Sequence, residues 1–177
     1  MNILSIFSLR RLIWAVGIRP LDLITKESMP NFLETTVDKF TFKVDTGCFY
    51  NQEGVWAREE NGRVRIGLSD YVQQRSGDVA FAEVKPVGTV LAAGEEVAEI
   101  ETIKVNITYT SPVNGKIAEV NPAMNDAPEA INQDPYGTGW LAVMEVDNWE
   151  ADRAKLLDSQ AYFKVMKGQA EEEAKKL

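Results

Sequence analysis

Few side chains in this sequence could take part in covalent chemistry. The chain has no histidine and a single cysteine, Cys48. Catalytic pairs that need a histidine base are therefore excluded, as are disulfides within the chain and zinc sites built on cysteine pairs. With no histidine to activate it, Cys48 is interpreted as a strand or loop residue without a chemical role. We predict no catalytic residue and no metal site.

Lys104 is the most informative candidate, because its neighbours fix where its amine points. Apolar and polar residues alternate from Thr102 to Thr108, the period of a half-buried strand, and this turns Lys104 outward. Glu101 lies an odd number of residues away, so a continuous strand would place it on the opposite face. A tight hairpin with Lys104 at or near its tip would put both on one exposed surface. The alternative is an ordinary solvated lysine.

Glycines lie on both sides of this segment, Gly88 before it and Gly115 after it. Glycine suits tight turns because positive φ costs it little, and we expect such a φ at Gly115. The arrangement is similar to the lipoyl-domain signature, in which turn glycines frame a lysine hairpin. That resemblance implies lipoate covalently attached to Lys104, with Glu101, Gly88 and Gly115 framing the hairpin. Biotin carriers share the fold but typically flank their lysine with methionines, which favours lipoate here.

The similarity extends well beyond the hairpin, over about residues 54–167, and resembles the H protein of the glycine cleavage system. The stretch from Asn132 to Trp140 is the most specific, because generic lipoyl domains lack this long loop rich in turn-forming residues. The resemblance implies a carrier and not an enzyme. A lipoate-protein ligase would modify it, its arm would carry an aminomethyl group from glycine decarboxylase to an aminomethyltransferase, and dihydrolipoamide dehydrogenase would reoxidise it.

Four positions depart from the glycine cleavage pattern. The family usually has histidine and glutamate before a tryptophan where this chain reads Gly54-Val55-Trp56, and Tyr71 and Arg75 replace two further histidines. These differences predict a poor acceptor of glycine-derived cargo. The chain also resembles the H-like lipoate-binding proteins of heterodisulfide-reductase-like sulfur oxidation, with that complex as partner. We take that role as the main interpretation, with the glycine cleavage H protein as alternative and a non-lipoylated structural relative as a third.

The resemblance implies a mainly β fold, a flattened barrel or sandwich of two antiparallel sheets with a C-terminal helix. Short alternating runs separated by Gly, Pro or Asn agree with it. Five predicted strands cover 64–68, 79–84, 97–107 with its turn, 116–120 and 140–146. A helix is predicted from Trp149, capped by Asp147 or Asn148, with a charged, frayed tail from Glu171. We divide the chain into an extension (1–28), a lipoyl-carrier β domain (29–148) and the C-terminal helix with its tail (149–177).

Composition describes an acidic chain of 177 residues with a net charge of −8, which argues against nucleic acid as a partner. We expect a cytoplasmic protein. Residues 1–28 are apolar and basic, and three interpretations stay open: a membrane-surface helix, a targeting peptide, or translation that begins at Met29. Arg10-Arg11 argues against a membrane span. Residues 33–50 would cover the barrel, with one strand through Phe40, Phe42 and Val44.

Overall fold

A computed structural model describes residues 31–176 of the chain. The predicted extension, residues 1–28, lies outside the described residues. The strands are β1 Phe32–Val37, β2 Phe40–Asp45, β3 Phe49–Tyr50, β4 Val55–Glu60, β5 Arg63–Leu68, β6 Val79–Val84, β7 Val90–Leu91, β8 Glu96–Thr102, β9 Asn106–Thr110, β10 Gly115–Val120 and β11 Trp140–Glu145. The helices are α1 Asp70–Ser76, α2 Ala123–Asp126, α3 Ala130–Gln133, α4 Trp149–Arg153 and α5 Ser159–Ala174.

Two antiparallel sheets form the body of the protein. One has the strand order β3-β4-β5-β11-β10-β7 and the other the order β6-β8-β9, while β1 and β2 pair as a separate hairpin. The mainly β architecture predicted from the sequence is confirmed, and each predicted strand is present with bounds that differ by at most three residues. The β1–β2 hairpin adds a second N-terminal strand to the single one expected.

The core is made by the inward faces of these sheets. Trp56, Ile66, Ile117 and Leu141 are fully buried and come from four neighbouring strands of the larger sheet. The Trp56 indole N–H donates to the carbonyl oxygens of Leu68 and Pro135, each at 3.0 Å. The ring is therefore buried without leaving a polar atom unpaired, and it ties the loop after α3 to the sheet.

A short helix, α1, connects the two sheets and was not predicted. Ser69 caps it: the serine hydroxyl accepts a hydrogen bond from the Val72 N–H at 3.4 Å. The helix ends at Gly77, whose φ of +87° is a conformation that favours glycine. Ser69 at the start and Gly77 at the end are sequence features from which this helix could have been predicted.

The predicted C-terminal helix is confirmed, but the helical region from Trp149 is divided into two helices. Asn148 caps α4 as predicted, but the chain then turns and Leu157 exchanges two backbone hydrogen bonds with Tyr50, each 2.8 Å long. Asp158 caps α5, which continues through Ala174, so most of the predicted frayed tail is helical. The ring of Tyr162 on α5 stacks on Tyr50 at 4.2 Å. No helix within residues 31–176 is both long and apolar enough to cross a membrane.

Candidate functional site

The hairpin formed by β8 and β9 carries Lys104 at its tip. The last register pair is Glu101 with Asn106, and the chain reverses between Thr102 and Val105. The Thr102 hydroxyl organises this turn: it accepts hydrogen bonds from the N–H groups of Lys104 at 3.2 Å and Val105 at 3.1 Å, and donates to the Val105 carbonyl oxygen at 3.1 Å. One hydroxyl thus uses its one donor and two acceptor sites to hold the backbone on both sides of the lysine.

The Lys104 side chain is exposed and lies over Gly77. A Cβ atom added at Gly77 would lie 3.5 Å from Lys104 Cδ and Cε and 3.6 Å from Nζ, which is ordinary contact. Among the described residues, Lys85 and Lys116 are ion-paired with Glu96 and Glu145, whereas Lys104 has no such partner. The Lys104 amine therefore lies at a hairpin tip without an ionic partner among the described residues.

The loop that starts at Asn132 supports the hairpin from below. The Asn132 side-chain amide donates to Gln73 Oε1 at 3.0 Å and to the Gly77 carbonyl oxygen at 3.1 Å, and its oxygen accepts from the Val79 N–H at 2.9 Å. The next residue after Gly77, Asp78, accepts a hydrogen bond from the Ile103 N–H at 3.2 Å. Asn132 therefore fixes the segment against which the lysine turn rests, a role that the sequence analysis missed.

Glu101 lies on the exposed outer face of the three-stranded sheet, beside Phe81 on β6. Glu83 and Glu99 form the next register pair on this face and are also exposed. The turn between Glu101 and Lys104 is the one that the odd spacing of these two residues predicts. The outer sheet face next to the lysine thus combines acidic residues with an exposed aromatic ring.

The two predicted framing glycines lie far from the hairpin tip. Strand β6 begins beside Thr102 and ends beside Ala98, so Gly88, which follows it, lies at the opposite end of the sheet. The expectation of positive φ at Gly115 is wrong, because this residue is not among those with positive φ. A Cβ atom at Gly115 would instead lie 2.3 Å from the Glu145 carbonyl oxygen. Gly115 allows β10 to approach β11 closely and does not shape a turn.

Gly54 and Val55, the positions where the family usually has histidine and glutamate, lie in the core. Val55 is 0% exposed. Gly54 has a φ of +83°, and a Cβ atom there would lie 2.5 Å from Tyr162 Oη and from Val72 Cγ2. Introducing histidine and glutamate here would therefore disrupt the core. The neighbouring Glu53 was missed: its carboxylate accepts hydrogen bonds from the Thr110 hydroxyl at 2.8 Å and the Thr110 N–H at 3.3 Å.

Two cavities flank α1 near the hairpin. The first, of about 380 Å³, lies between α1 and β9 and is lined by Glu53, Arg75 and Ile107 among others. The second, of about 470 Å³, lies between β2, α1 and the end of α5 and has Lys104 in its wall. Arg75 lines both and binds Glu173 of α5 at 2.9 Å. An arm attached to Lys104 would therefore have a cavity directly beside its root.

Cys48 lies in a different environment from Lys104. It is 1% exposed, and burial, with a smaller contribution from the Asp45 carboxylate, raises the pKa of its thiol to about 12. The thiol is therefore protonated at neutral pH and shielded from solvent, which fits the prediction that it has no chemical role.

The fold and hairpin define a class of small antiparallel β protein that displays one lysine at the tip of a tight turn. The family model described as "Glycine cleavage H-protein" matches residues 48–169. A probable glycine cleavage system H protein of Pyrococcus abyssi is 38% identical over 71% of this chain and 94% of its own length. The corresponding protein of Stenotrophomonas maltophilia is 45% identical over 63% of this chain and 85% of its own.

A solved structure leads to the same family. The crystal structure of a glycine cleavage system H protein from Mycobacterium marinum aligns with a TM-score of 0.62 and 30% identity, and covers 67% of this chain and 95% of that one. The chain therefore belongs to the glycine cleavage H-protein family, and the family resemblance drawn from the sequence is confirmed.

Proposed function

We propose that this chain is a lipoyl carrier of the glycine cleavage system, modified on Lys104. It would take the aminomethyl unit from glycine decarboxylase to the aminomethyltransferase and return electrons to dihydrolipoamide dehydrogenase. The proposal is carried by one observation: Lys104 has an exposed amine at a hairpin tip, with no acidic partner among the described residues. The relatives named above are described as glycine cleavage proteins, and they favour this role over sulfur oxidation, for which no comparison gives support.

The residues around Lys104 fit an amide-linked lipoyl group. A ligase needs an accessible amine, and Gly77 leaves the side chain room to move. The group would supply a disulfide that opens to two thiols, so the redox and transfer chemistry belongs to it and to the partner enzymes. The chain contributes a rigid turn at the root of the arm, held by Thr102, and a tether that keeps the reactive end at high local concentration near a docked partner.

The partners would recognise the surface around the hairpin. With a net charge of −8, the chain is attracted over distance to basic surfaces, which raises the rate of encounter more than the affinity. Glu101, Glu99 and Glu83 concentrate negative charge on the sheet face beside the lysine. Phe81 and Ile103, 67% and 73% exposed, add apolar contact area there. We propose this face as the surface that the lipoate-protein ligase reads.

Intact-mass spectrometry tests the modification directly. After incubation with lipoate, ATP and a lipoate-protein ligase, we expect one lipoyl adduct, mapped by peptide sequencing to Lys104. Lys104→Arg should abolish the adduct, because the guanidinium keeps the charge but is a poor nucleophile. Lys116→Arg is the matched control and should leave the adduct intact. An adduct on Lys85 or Lys116 with Lys104 unmodified would refute the assignment.

The exchange of bicarbonate with the glycine carboxyl group tests the cargo. We expect the lipoylated chain to support this exchange with purified glycine decarboxylase, and unmodified Lys104→Arg protein to fail. A lipoylated chain that is inactive beside an active H protein of another organism would return the chain to the sulfur-oxidation interpretation. The outcome also decides whether Tyr71 and Arg75, which replace two histidines, are compatible with glycine-derived cargo.

A further inference from the structure

The chain contains two Asn-Gly pairs, Asn61-Gly62 and Asn114-Gly115, and the fold holds them in different ways. Asparagine before glycine is prone to spontaneous loss of ammonia, because glycine has no side chain to keep its backbone nitrogen away from the asparagine amide. Both asparagines are exposed, so access of water does not distinguish them. The contacts that each pair makes decide which of the two can react.

Asn61 and Gly62 form the two-residue turn between β4 and β5. They lie between the register pair Glu60 and Arg63 and have φ values of +54° and +79°. Positive φ at both positions is typical of a type I′ turn, for which Asn-Gly is a preferred pair. A Cβ atom at Gly62 would meet nothing within 4 Å, and the Asn61 side chain makes no hydrogen bond within the part of the chain that the structure describes. The side-chain amide of Asn61 can therefore rotate toward the Gly62 nitrogen.

Asn114 is held at both ends of its side-chain amide. Its Nδ2 donates to Asp152 Oδ1 at 2.5 Å, and its Oδ1 accepts from the Ala93 N–H at 3.0 Å. The backbone N–H of Asn114 donates to the other Asp152 oxygen at 2.9 Å. Gly115 lies in the sheet opposite Leu91 of β7. Two hydrogen bonds would have to break, and the strand to shift, before the Gly115 nitrogen could reach the Asn114 amide carbon.

Glu59 holds the proton that a reaction at the turn would have to remove. The Gly62 N–H donates to Glu59 Oε1 at 2.7 Å. A carboxylate that accepts this hydrogen bond keeps the proton on the nitrogen, and its negative charge disfavours the amide anion that loss of the proton would leave. Glu59 is exposed near the end of β4, so this bond opens more readily than one inside a sheet. Asn61 therefore has a mobile amide but a restrained attacking nitrogen.

We propose that Asn61 is a site of slow spontaneous deamidation and that Glu59 sets its rate. The Gly62 nitrogen loses its proton to solvent and bonds to Asn61 Cγ, the Cγ–Nδ2 bond breaks, and ammonia leaves after taking up a proton. Water then opens one of the two C–N bonds of the five-membered imide and leaves aspartate or isoaspartate. Water is the only co-reactant, and the inference is independent of the proposed function.

The two products change the turn in different ways. Aspartate keeps the backbone path and adds a negative charge beside Glu59 and Glu60. Isoaspartate routes the backbone through the side chain and lengthens it by one carbon, so the turn and the pairing of Glu60 with Arg63 cannot both be kept. The turn lies at the end of β5 opposite to the one that leads into α1. Modification here therefore leaves the segment around Lys104 unchanged.

Peptide mapping by mass spectrometry compares the two pairs in one molecule. The full chain is kept folded in neutral buffer, and isoaspartate is also quantified by methyl transfer with an isoaspartate methyltransferase. We expect Asn61 to convert at least about tenfold faster than Asn114, whose amide must give up two hydrogen bonds, each worth about fivefold. In guanidinium chloride the two rates should be similar. Equal rates in the folded chain, or no Asn61 product after about a hundred half-times of the unfolded reaction, would overturn the site.

A matched pair of glutamate substitutions tests the role of Glu59. Glu59→Ala removes the carboxylate that holds the Gly62 N–H, whereas Glu119→Ala removes the one that binds Arg63, the next residue of the turn, at 2.8 Å. We expect Glu59→Ala to speed conversion of Asn61 about threefold, as one exposed hydrogen bond allows, and Glu119→Ala to leave the rate unchanged. Unfolding curves check that both variants are folded. Equal acceleration by both substitutions, or by neither, would overturn the role of Glu59.

Discussion

Gly77 and Gly115 each leave room for a neighbouring group, but the two groups differ. Gly77 lies under the lysine hairpin, and Gly115 lies in the β10–β11 ladder. The neighbour of Gly77 is the movable end of the Lys104 side chain at 3.5 Å, and that of Gly115 is the fixed Glu145 carbonyl oxygen at 2.3 Å. The Lys104 side chain can therefore move at little cost, whereas the β10–β11 ladder cannot. Function and folding stability are placed in different parts of the chain.

The largest effect should come from Gly115→Val. The added side chain forces β10 away from β11, and we expect a loss of about 3 kcal/mol in the free energy of unfolding, measured by urea denaturation. Gly168→Val in α5 is the matched control, because nothing lies within 4 Å of a Cβ atom there. The folded fraction of Gly115→Val should still be lipoylated. If Gly115→Val had normal stability but were not lipoylated, Gly115 would matter for modification and not for folding, which would contradict this prediction.

Alkaline pH should destabilise the protein through the buried thiol of Cys48, which precedes β3. The folded chain keeps the Cys48 proton up to a pKa of about 12, whereas the unfolded chain releases it near the ordinary value of 9.0. Stability is thus fully present below pH 9 and falls as the pH rises toward 12, by about 1.4 kcal/mol per pH unit. Burial also raises the pKa values of all five tyrosines in the folded chain, so Cys48→Ala should lessen this dependence near pH 9 and not abolish it. Urea unfolding of both proteins measures it, and parallel slopes would contradict it.

A smaller effect on stability is expected at the hairpin tip. Thr102→Val removes the hydroxyl that holds the N–H groups of Lys104 and Val105. Because water replaces part of these bonds at the tip, we expect a loss of about 1 kcal/mol, with a several-fold fall in the rate of lipoylation as the turn loosens. Thr102→Ser keeps the hydroxyl and should retain most of the rate. Equal rates for the two variants would show that the turn needs no such anchor.

The smallest effect on stability is expected for Glu101→Gln. Glu101 is exposed, so the free energy of unfolding should change by no more than about 0.5 kcal/mol. If the ligase reads the acidic face beside the lysine, lipoylation should slow several-fold, and the difference should shrink as salt is added. Glu119→Gln, on β10 of the other sheet, is the control. A rate unaffected by either substitution would remove Glu101 from the recognition surface.

The sequence predicted what depends on local periodicity. Alternation located the strands, and the odd spacing of Glu101 and Lys104 required the turn that the hairpin contains. Prediction from the sequence failed where a contact between residues far apart in the chain decides the secondary structure. The bridge between Leu157 and Tyr50 divides the C-terminal helix, and no local pattern near Leu157 announces it.

The same limit explains the errors at the site. A glycine in a sequence does not reveal whether it needs positive φ, as at Gly77, or close approach of another strand, as at Gly115. Likewise, comparing Gly54 and Val55 with the family motif shows which residues other chains have at these positions. It does not show that core packing in this chain leaves no room for a larger side chain there. The cavity between β2, α1 and the end of α5 could not be predicted either, because its walls meet only after β2 and α5 have folded against each other.

The bridge between Tyr50 and Leu157 also bears on how the protein behaves in a crowded solution. Strand β3 is one edge of the six-stranded sheet, and its backbone would otherwise offer free donors and acceptors to a strand of another molecule. Leu157 occupies those groups, while the opposite edge, β7, is only two residues long. Self-association through this sheet therefore has little template.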